Sequence, residues 1–239
     1  MNSFALMFGG SIFSLTAKGR GMRKTLLASL AIIGLAAAPV FAFNSDNLNT
    51  ITFENSTGST LTMIVLSPED SDYWGPEILG DGTPLKDDAT ASYSLGYADT
   101  SFDFDVKAVD DKGNEYDLNR ITVDDGRQAT IRITKKNLSN ATYNYTLSTV
   151  RVTNSTGREI DYLFIPPSDS DSWGVDLLKD QTTLAGGDTK DILILVRREP
   201  AEYTLKAIDE SNDEYDVTIT VDPDAARTVP VSVGAKDMN

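Results

Sequence analysis

Through most of the chain, apolar and polar positions alternate with a period of two. Phe102, Phe104, Val106 and Ala108 alternate with Asp103, Asp105 and Lys107, and Tyr203, Leu205 and Ala207 alternate with Thr204 and Lys206. Successive side chains of a β-strand point to opposite faces, so this pattern predicts strands with one buried and one wet face. Further strands are predicted over 51–54, 60–66, 91–97, 116–123 and 128–134, with counterparts later in the chain. Short strands divided by Gly, Asn, Asp and Pro clusters predict an all-β protein. The expected architecture is two tandem antiparallel β-sandwich domains of immunoglobulin-like or C2-like kind. Pro230 falls on the outward phase of its strand, since Val229, Val231 and Val233 take the inward one. A proline there predicts an edge strand, because it cannot donate to a neighbour.

The alternation occurs twice because the chain is duplicated. Ser67-Pro68-Glu69-Asp70-Ser71-Asp72-Tyr73-Trp74-Gly75-Pro76-Glu77-Ile78-Leu79 returns 99 positions later as Pro166-Pro167-Ser168-Asp169-Ser170-Asp171-Ser172-Trp173-Gly174-Val175-Asp176-Leu177-Leu178. The same offset carries Asn55-Ser56-Thr57-Gly58 onto Asn154-Ser155-Thr156-Gly157, and Glu115-Tyr116-Asp117 onto Glu214-Tyr215-Asp216. Two units of this length are tandem domains, not a solenoid of short repeats. The organisation expected is residues 1–42 as an export signal, 43–49 as a lead-in, 50–135 as copy one, 136–149 as a connecting segment, 150–235 as copy two, and 236–239 as a tail. Alternation at Tyr143, Tyr145 and Leu147 predicts that the connector becomes a strand entering copy two.

One difference between the copies changes the picture. Ser94 and Gly96 of copy one correspond to Leu193 and Leu195 of copy two. Copy two therefore carries an apolar stripe where copy one is small and polar. An exposed stripe would be unusual, so Leu193 and Leu195 are expected to be covered by copy one or by 136–149.

The N-terminal region has its own character. Arg23-Lys24, the apolar run Leu26–Ala38 and the small-x-small pattern Val40-Phe41-Ala42 predict a cleaved secretory signal, with Met22 as the true start. A membrane anchor is the rival reading, although the run is short for a span and Pro39 lies near its end. Residues 1–42 hold Lys18, Arg20, Arg23 and Lys24 and no acid, so the net charge of −15 becomes −19 beyond them. A surface that acidic repels nucleic acid and anionic lipid. The chain contains no cysteine and no histidine. Disulfide stapling and thiolate metal sites are excluded, together with the commonest general base.

The repeated motifs support two readings each. The tryptophan segment predicts a short helical turn capped by Ser71 or Asp72, with Trp74 and Ile78 on one side, plugging one end of a sandwich. The alternative makes Trp74 and Trp173 a platform for a glycan or aromatic ligand. In the acidic hairpins, Asp110-Asp111-Lys112-Gly113-Asn114 and Asp209-Glu210-Ser211-Asn212-Asp213, Gly113 and Asn212 suit the left-handed conformation that a tight turn needs. Oxygen ligands at alternate positions also begin calcium loops, which makes Asp209 and Asp213, with Asp110 in copy one, the candidate cation ligands. Lys112 stands against a cation in copy one, and Thr220 stands where an EF-hand would place its bidentate glutamate. Such a site would recruit Asp169 or Asp171 if the loops met. Asn55-Ser56-Thr57 and Asn154-Ser155-Thr156 match a glycosylation acceptor, but they precede Gly58 and Gly157 between strands and read as turns.

The order N-x-T-G, an alternating strand, S-D-x-W-G and an acidic Y-D-containing hairpin resembles a repeat domain found in many uncharacterised exported bacterial proteins. Both copies carry the tryptophan segment, whereas the acidic turn departs at Lys112, Asn114 and Ser211. The resemblance implies fold and export, and no activity. The function expected is that of a non-catalytic exported protein with a binding or structural role in the periplasm or outside the cell. It would use no cofactor, meet a protein or glycan partner, bind no nucleic acid and keep no membrane span once the signal is removed. The alternatives are a calcium-dependent binding module and, further off, a hydrolase built on paired carboxylates.

Overall fold

In the computed structural model, residues 43–239 are described except for 81, 98–100, 125–127, 141–144, 180–181 and 226. The export segment, Met22 and Tyr143 lie outside them. Copy one consists of β1 (Asn49–Ser56), β2 (Leu61–Pro68), β3 (Thr90–Tyr97), β4 (Ser101–Asp110), β5 (Glu115–Asp124) and β6 (Gln128–Thr134). Copy two consists of β7 (Thr146–Ser155), β8 (Ile160–Phe164), β9 (Ser172–Val175), β10 (Thr189–Val196), β11 (Ala201–Asp209), β12 (Glu214–Val221) and β13 (Thr228–Gly234). Short 3-10 turns at Ser45–Asn47, Lys135–Asn137 and Ala235–Asp237 sit at the ends of the copies. The alternating stretch around Tyr145 and Leu147 does lead into β7, but Leu147 is exposed and Ser148 takes the buried position.

Each copy is a β-sandwich. In copy one the strand order is β6-β1-β3 in one sheet and β2-β4-β5 in the other; copy two repeats this with β10-β7-β13 and β12-β11-β8. Neighbours are antiparallel except at the closing pairs, where β6 runs parallel to β1 and β13 parallel to β7. The inward phase of each strand supplies the core. Ile51, Phe53, Tyr93, Leu95, Ile131 and Ile133 face Ile64, Leu66, Phe104, Val106, Ala108 and Leu118 in copy one. Pro230 is exposed on β13, an edge strand, where its missing N–H leaves no ladder bond unmade.

The tryptophan segments join the copies. No helical turn forms there: Ser172–Val175 is strand β9, and the Trp74 stretch is extended. The reason lies in where the backbone donors go. Gly75 N bonds Leu66 O at 2.7 Å, Ile78 N bonds Ile64 O at 3.0 Å, and Glu77 N crosses to Leu193 O of β10 at 2.8 Å. Copy two reciprocates, with Leu177 N on Leu163 O at 2.8 Å and Asp176 N on Ser94 O of β3 at 2.9 Å. These pairs differ by 99 on both sides, so the exchange has an approximate two-fold symmetry. β9 extends the first sheet of copy one to β6-β1-β3-β9, and Pro76 forms the matching bridge to Ile194. Unpaired strand edges invite association, and each copy covers the other's.

The symmetry is broken at Leu195 and Gly96. Leu195 is buried with Val65 and Trp74 of copy one and packs against Tyr145 of the connector, as the apolar stripe led us to expect. Leu193 is not covered: it is 37% exposed, because its neighbour in the exchange is the backbone of Glu77 and not an apolar side chain. At Gly96, an added Cβ would lie 3.2 Å from Trp173 Cβ and 3.4 Å from both Leu48 Cδ2 and Phe164 Cε1. Gly96→Val should therefore overpack this junction and cost about 1–3 kcal/mol. Chemical denaturation should show a lowered midpoint at unchanged slope.

Candidate functional site

Each indole sits on the outer face of a sheet, against the outward phase of its own strands. Inward residues Ile64, Leu66, Val106 and Ala108 join the main core, while Val65 and Lys107 point the other way and meet Trp74. Trp74 therefore does not plug the end of the sandwich, and it does not share a side with Ile78, which belongs to the main core. It is 9% exposed, with Leu195 from copy two lying over it. Tyr203, fully buried in copy two, donates to Trp74 O at 2.9 Å and ties the segment across the junction. Burial pushes the Tyr203 hydroxyl well above the usual tyrosine range.

A lysine accompanies each tryptophan. Lys107 is 1% exposed, places Nζ 5.6 Å from the Trp74 ring and 5.7 Å from Tyr145, and pairs with Glu115 at 3.1 Å and with Asp117. Lys206 repeats this with Nζ 5.1 Å from Trp173 and 3.0 Å from Asp216. A buried ammonium needs a close carboxylate, and an aromatic face adds a further attraction. The sequence reading missed these lysines. The signal was available: both stand at the same place in an alternating strand, between apolar residues, one position out of phase with the core.

Trp173 is half-buried and covered differently. Where Leu195 would have its counterpart there is Gly96, and the ring of Phe43 lies on the indole instead, with centroids 5.6 Å apart and planes 16° apart. Phe164 meets the same indole edge-on at 5.6 Å, and Tyr162 lies 5.0 Å from Phe43. The face that a stacking guest would use is thus held by the chain's own residue 43. Between the two tryptophan segments, Leu66, Pro68, Pro76, Ile165, Pro167 and Val175 line an apolar cavity of about 20 Å³, roughly the room one water needs.

The acidic hairpins are built around one buried carboxylate each. Asp110, 2% exposed, accepts from Lys112 N at 2.9 Å, Asn114 N at 2.8 Å, Asn114 Nδ2 at 2.9 Å and the Tyr116 hydroxyl at 3.0 Å. Asp209, 1% exposed, accepts from Ser211 N at 2.8 Å, Asp213 N at 3.0 Å, the Tyr215 hydroxyl at 2.9 Å and Arg158 at 3.3 Å. Burial alone would raise both carboxyls; the hydrogen bonds outweigh it and hold both below the ordinary aspartate value. Burial and the bond to Asp209 push the Tyr215 hydroxyl up to about 12. Gly113 at φ 79° and Asn212 at φ 66° take the left-handed conformation expected of them. Asp213, half-buried, pairs with Arg158 at 2.8 Å. The loops of Asp169 and Asp209 do not meet: Ser168 N bonds Glu202 O at one end of β11, and Asp209 stands at the other. Asp169 instead meets the copy-one loop, accepting from Ser71 Oγ at 2.6 Å, while Asp171 N donates to Asp70 at 3.1 Å.

Further polar groups hold the copies. Asn55 and Asn154 are fully buried, and each amide bridges its own turn and a distant strand connection: Asn55 to Ser59 O and Leu85 O at 2.8 and 2.9 Å, Asn154 to Arg158 O and Leu184 O, both at 2.7 Å. Glu77, also buried, accepts from Ile64 N, Leu79 N and Gly80 N at 3.3, 2.7 and 2.9 Å. Burial raises its carboxyl in spite of those bonds and of nearby Lys179. Lys179, its own value lowered by burial, reaches across to Leu79 O at 2.5 Å. With Lys190, Asp191 and Leu193 they line an open groove of about 490 Å³.

The fold and these sites define a class: an all-β protein of two tandem sandwiches locked by exchanged edge segments. No family model matches the chain, and no curated protein matches it. Among solved structures it is similar to a carbohydrate-binding module of family CBM26 from Eubacterium rectale in complex with maltoheptaose. The identity there is 14%, over 80% of this chain and 95% of that one, with a TM-score of 0.25. It is also similar to a candidate adhesin from Bacteroides ovatus, at 9% identity over 80% and 91% of the two chains with a TM-score of 0.23. A third likeness is to a Ca2+-stabilized, ice-binding adhesin of an Antarctic bacterium, at 12% identity over 77% and 49% with a TM-score of 0.17.

Two outcomes follow from the geometry. Trp74→Ala should cost about 3–5 kcal/mol and Trp173→Ala clearly less, because only the first indole is enclosed by both copies; equilibrium unfolding of the two variants compares them. Asp209→Asn should cost about 2–3 kcal/mol at neutral pH, since it takes the charge from a carboxylate with four donors. Because the folded Asp209 value is depressed, its stabilisation is present above the unfolded value of about 3.9 and is lost as pH falls through the folded one. The gap between wild type and variant should close below about pH 4 in melts run at stepped pH.

Proposed function

We propose that the chain is a non-catalytic protein exported to the bacterial envelope, where its two sandwiches act as one rigid body by binding or by structural presence. One observation carries the reading: the residues that recur in both copies are spent on holding the fold. The tryptophan segments bind copy to copy, the hairpin aspartates bind their own turns, and the asparagines staple strand connections. The charged segment ahead of an apolar run and Val40-Phe41-Ala42 supports export, as does the resemblance of the tryptophan segment to exported bacterial repeats. A protein or glycan partner would find an open concave surface in the groove beside Glu77, Lys179 and Leu193.

The calcium-dependent module remains the second reading, because Asp209 and Asp213 stand together with Arg158 as their counter-ion, where a cation could replace it. Melting the exported protein in millimolar calcium and in chelator separates the two. A ligand at 100 times its Kd would stabilise the fold by about 2.7 kcal/mol, a rise of several degrees. The expected outcome is an unchanged melting temperature and a protein recovered from the periplasm or medium. A clear rise with calcium would select the module, and a chain retained uncut in the cytoplasm would end the export reading.

A further inference from the structure

We propose that copy two carries a preformed receptor for the processed N-terminus, with Phe43 as the first residue of the mature chain. The proposal rests on the export reading and goes beyond it by assigning a site to the group that processing creates. Every group of Phe43 is received. Its nitrogen donates to Glu214 Oε1 at 2.5 Å, its carbonyl accepts from Asn212 Nδ2 at 3.0 Å, and its ring stacks on Trp173 and packs against Tyr162 and Phe164. The residue is 7% exposed.

Three of the receiving residues distinguish copy two from copy one. Tyr162 and Phe164 stand where copy one has Met63 and Val65, and Asn212 stands where it has Gly113, which lacks a side chain. Glu214 corresponds to Glu115, whose carboxylate is engaged by Lys107. Gly96 leaves the space over Trp173 that Leu195 fills over Trp74. One outer face is thus closed by the partner copy, and the other by the chain's own beginning.

The cut that the small-x-small pattern places after Ala42 is a hydrolysis. Water adds across the Ala42–Phe43 amide, Ala42 leaves as a carboxylate, and the Phe43 nitrogen takes a proton to become an ammonium. That nitrogen is the one facing Glu214. A neutral N–H on a carboxylate becomes a charged donor on the same carboxylate, a bond about twice as strong. Processing then does more than release the chain, because it supplies the charge that completes the aromatic cover of Trp173.

Intact-mass measurement of the exported protein, followed by melting with and without Nα-acetylation, tests this. Acetylation removes the charge and keeps an N–H. Mature protein should begin at Phe43, and Glu214→Gln should lower its melting temperature by about 2–4 °C with a free amine. In the acetylated protein the same substitution should shift it by less than about 1 °C. Equal shifts in both forms, or none in either, would overturn the receptor. A mature chain beginning elsewhere would also overturn it while sparing the export reading, and an uncut chain would overturn both.

Discussion

A three-stranded sheet has two edges, and each edge strand presents unpaired N–H and C=O groups that need a partner. Here that requirement is met by reciprocity: the segment after each tryptophan stays bonded to its own sandwich, Ile78 N on Ile64 O and Leu177 N on Leu163 O, and also satisfies an edge of the other, Asp176 N on Ser94 O and Glu77 N on Leu193 O. The rest of the organisation depends on this exchange. It brings Leu195 over Trp74, lets Tyr203 donate to Trp74 O, and places Lys179 against Leu79 O. The two copies belong to one compact unit because of it. Main-chain bonds give the junction its register, and the side chains gathered around each indole give it its packing.

Duplication supplied two equal halves, and divergence then gave them different surroundings. The outer face of copy one is enclosed by Leu195 and Tyr145, and that of copy two by Phe43 and Leu48. A single position carries most of the difference, since Gly96 and Leu195 correspond and cannot both be large without a clash at Trp173. The lysines beneath the indoles tolerate either surrounding, because each keeps a carboxylate within 3.1 Å.

The acidic character of the chain divides into two populations with different physics. Asp110 and Asp209 are buried, hydrogen-bonded by backbone N–H groups and tyrosine hydroxyls, and held in the charged state. They organise hairpins, much as a cap organises a helix end. The exposed acids are a solvated surface whose consequence is net charge.

Period-two alternation and the 99-residue offset were enough to establish an all-β chain of two sandwiches, the strands within them, the edge position of Pro230 and the left-handed turns at Gly113 and Asn212, because each of these follows from local backbone geometry. The tryptophan segment was legible as a motif but not as a structure. Its residues are compatible with a capped helical turn, and what draws them into extended pairing is a sheet edge contributed by residues about a hundred positions away. Leu193 and Leu195 looked alike in the strand pattern; only the placement of the second copy decided that one is buried and the other open. The same holds for Phe43, which sequence alone assigned to a lead-in. Its neighbours Trp173 and Glu214 lie far along the chain, and long-range proximity is a property that tertiary packing decides.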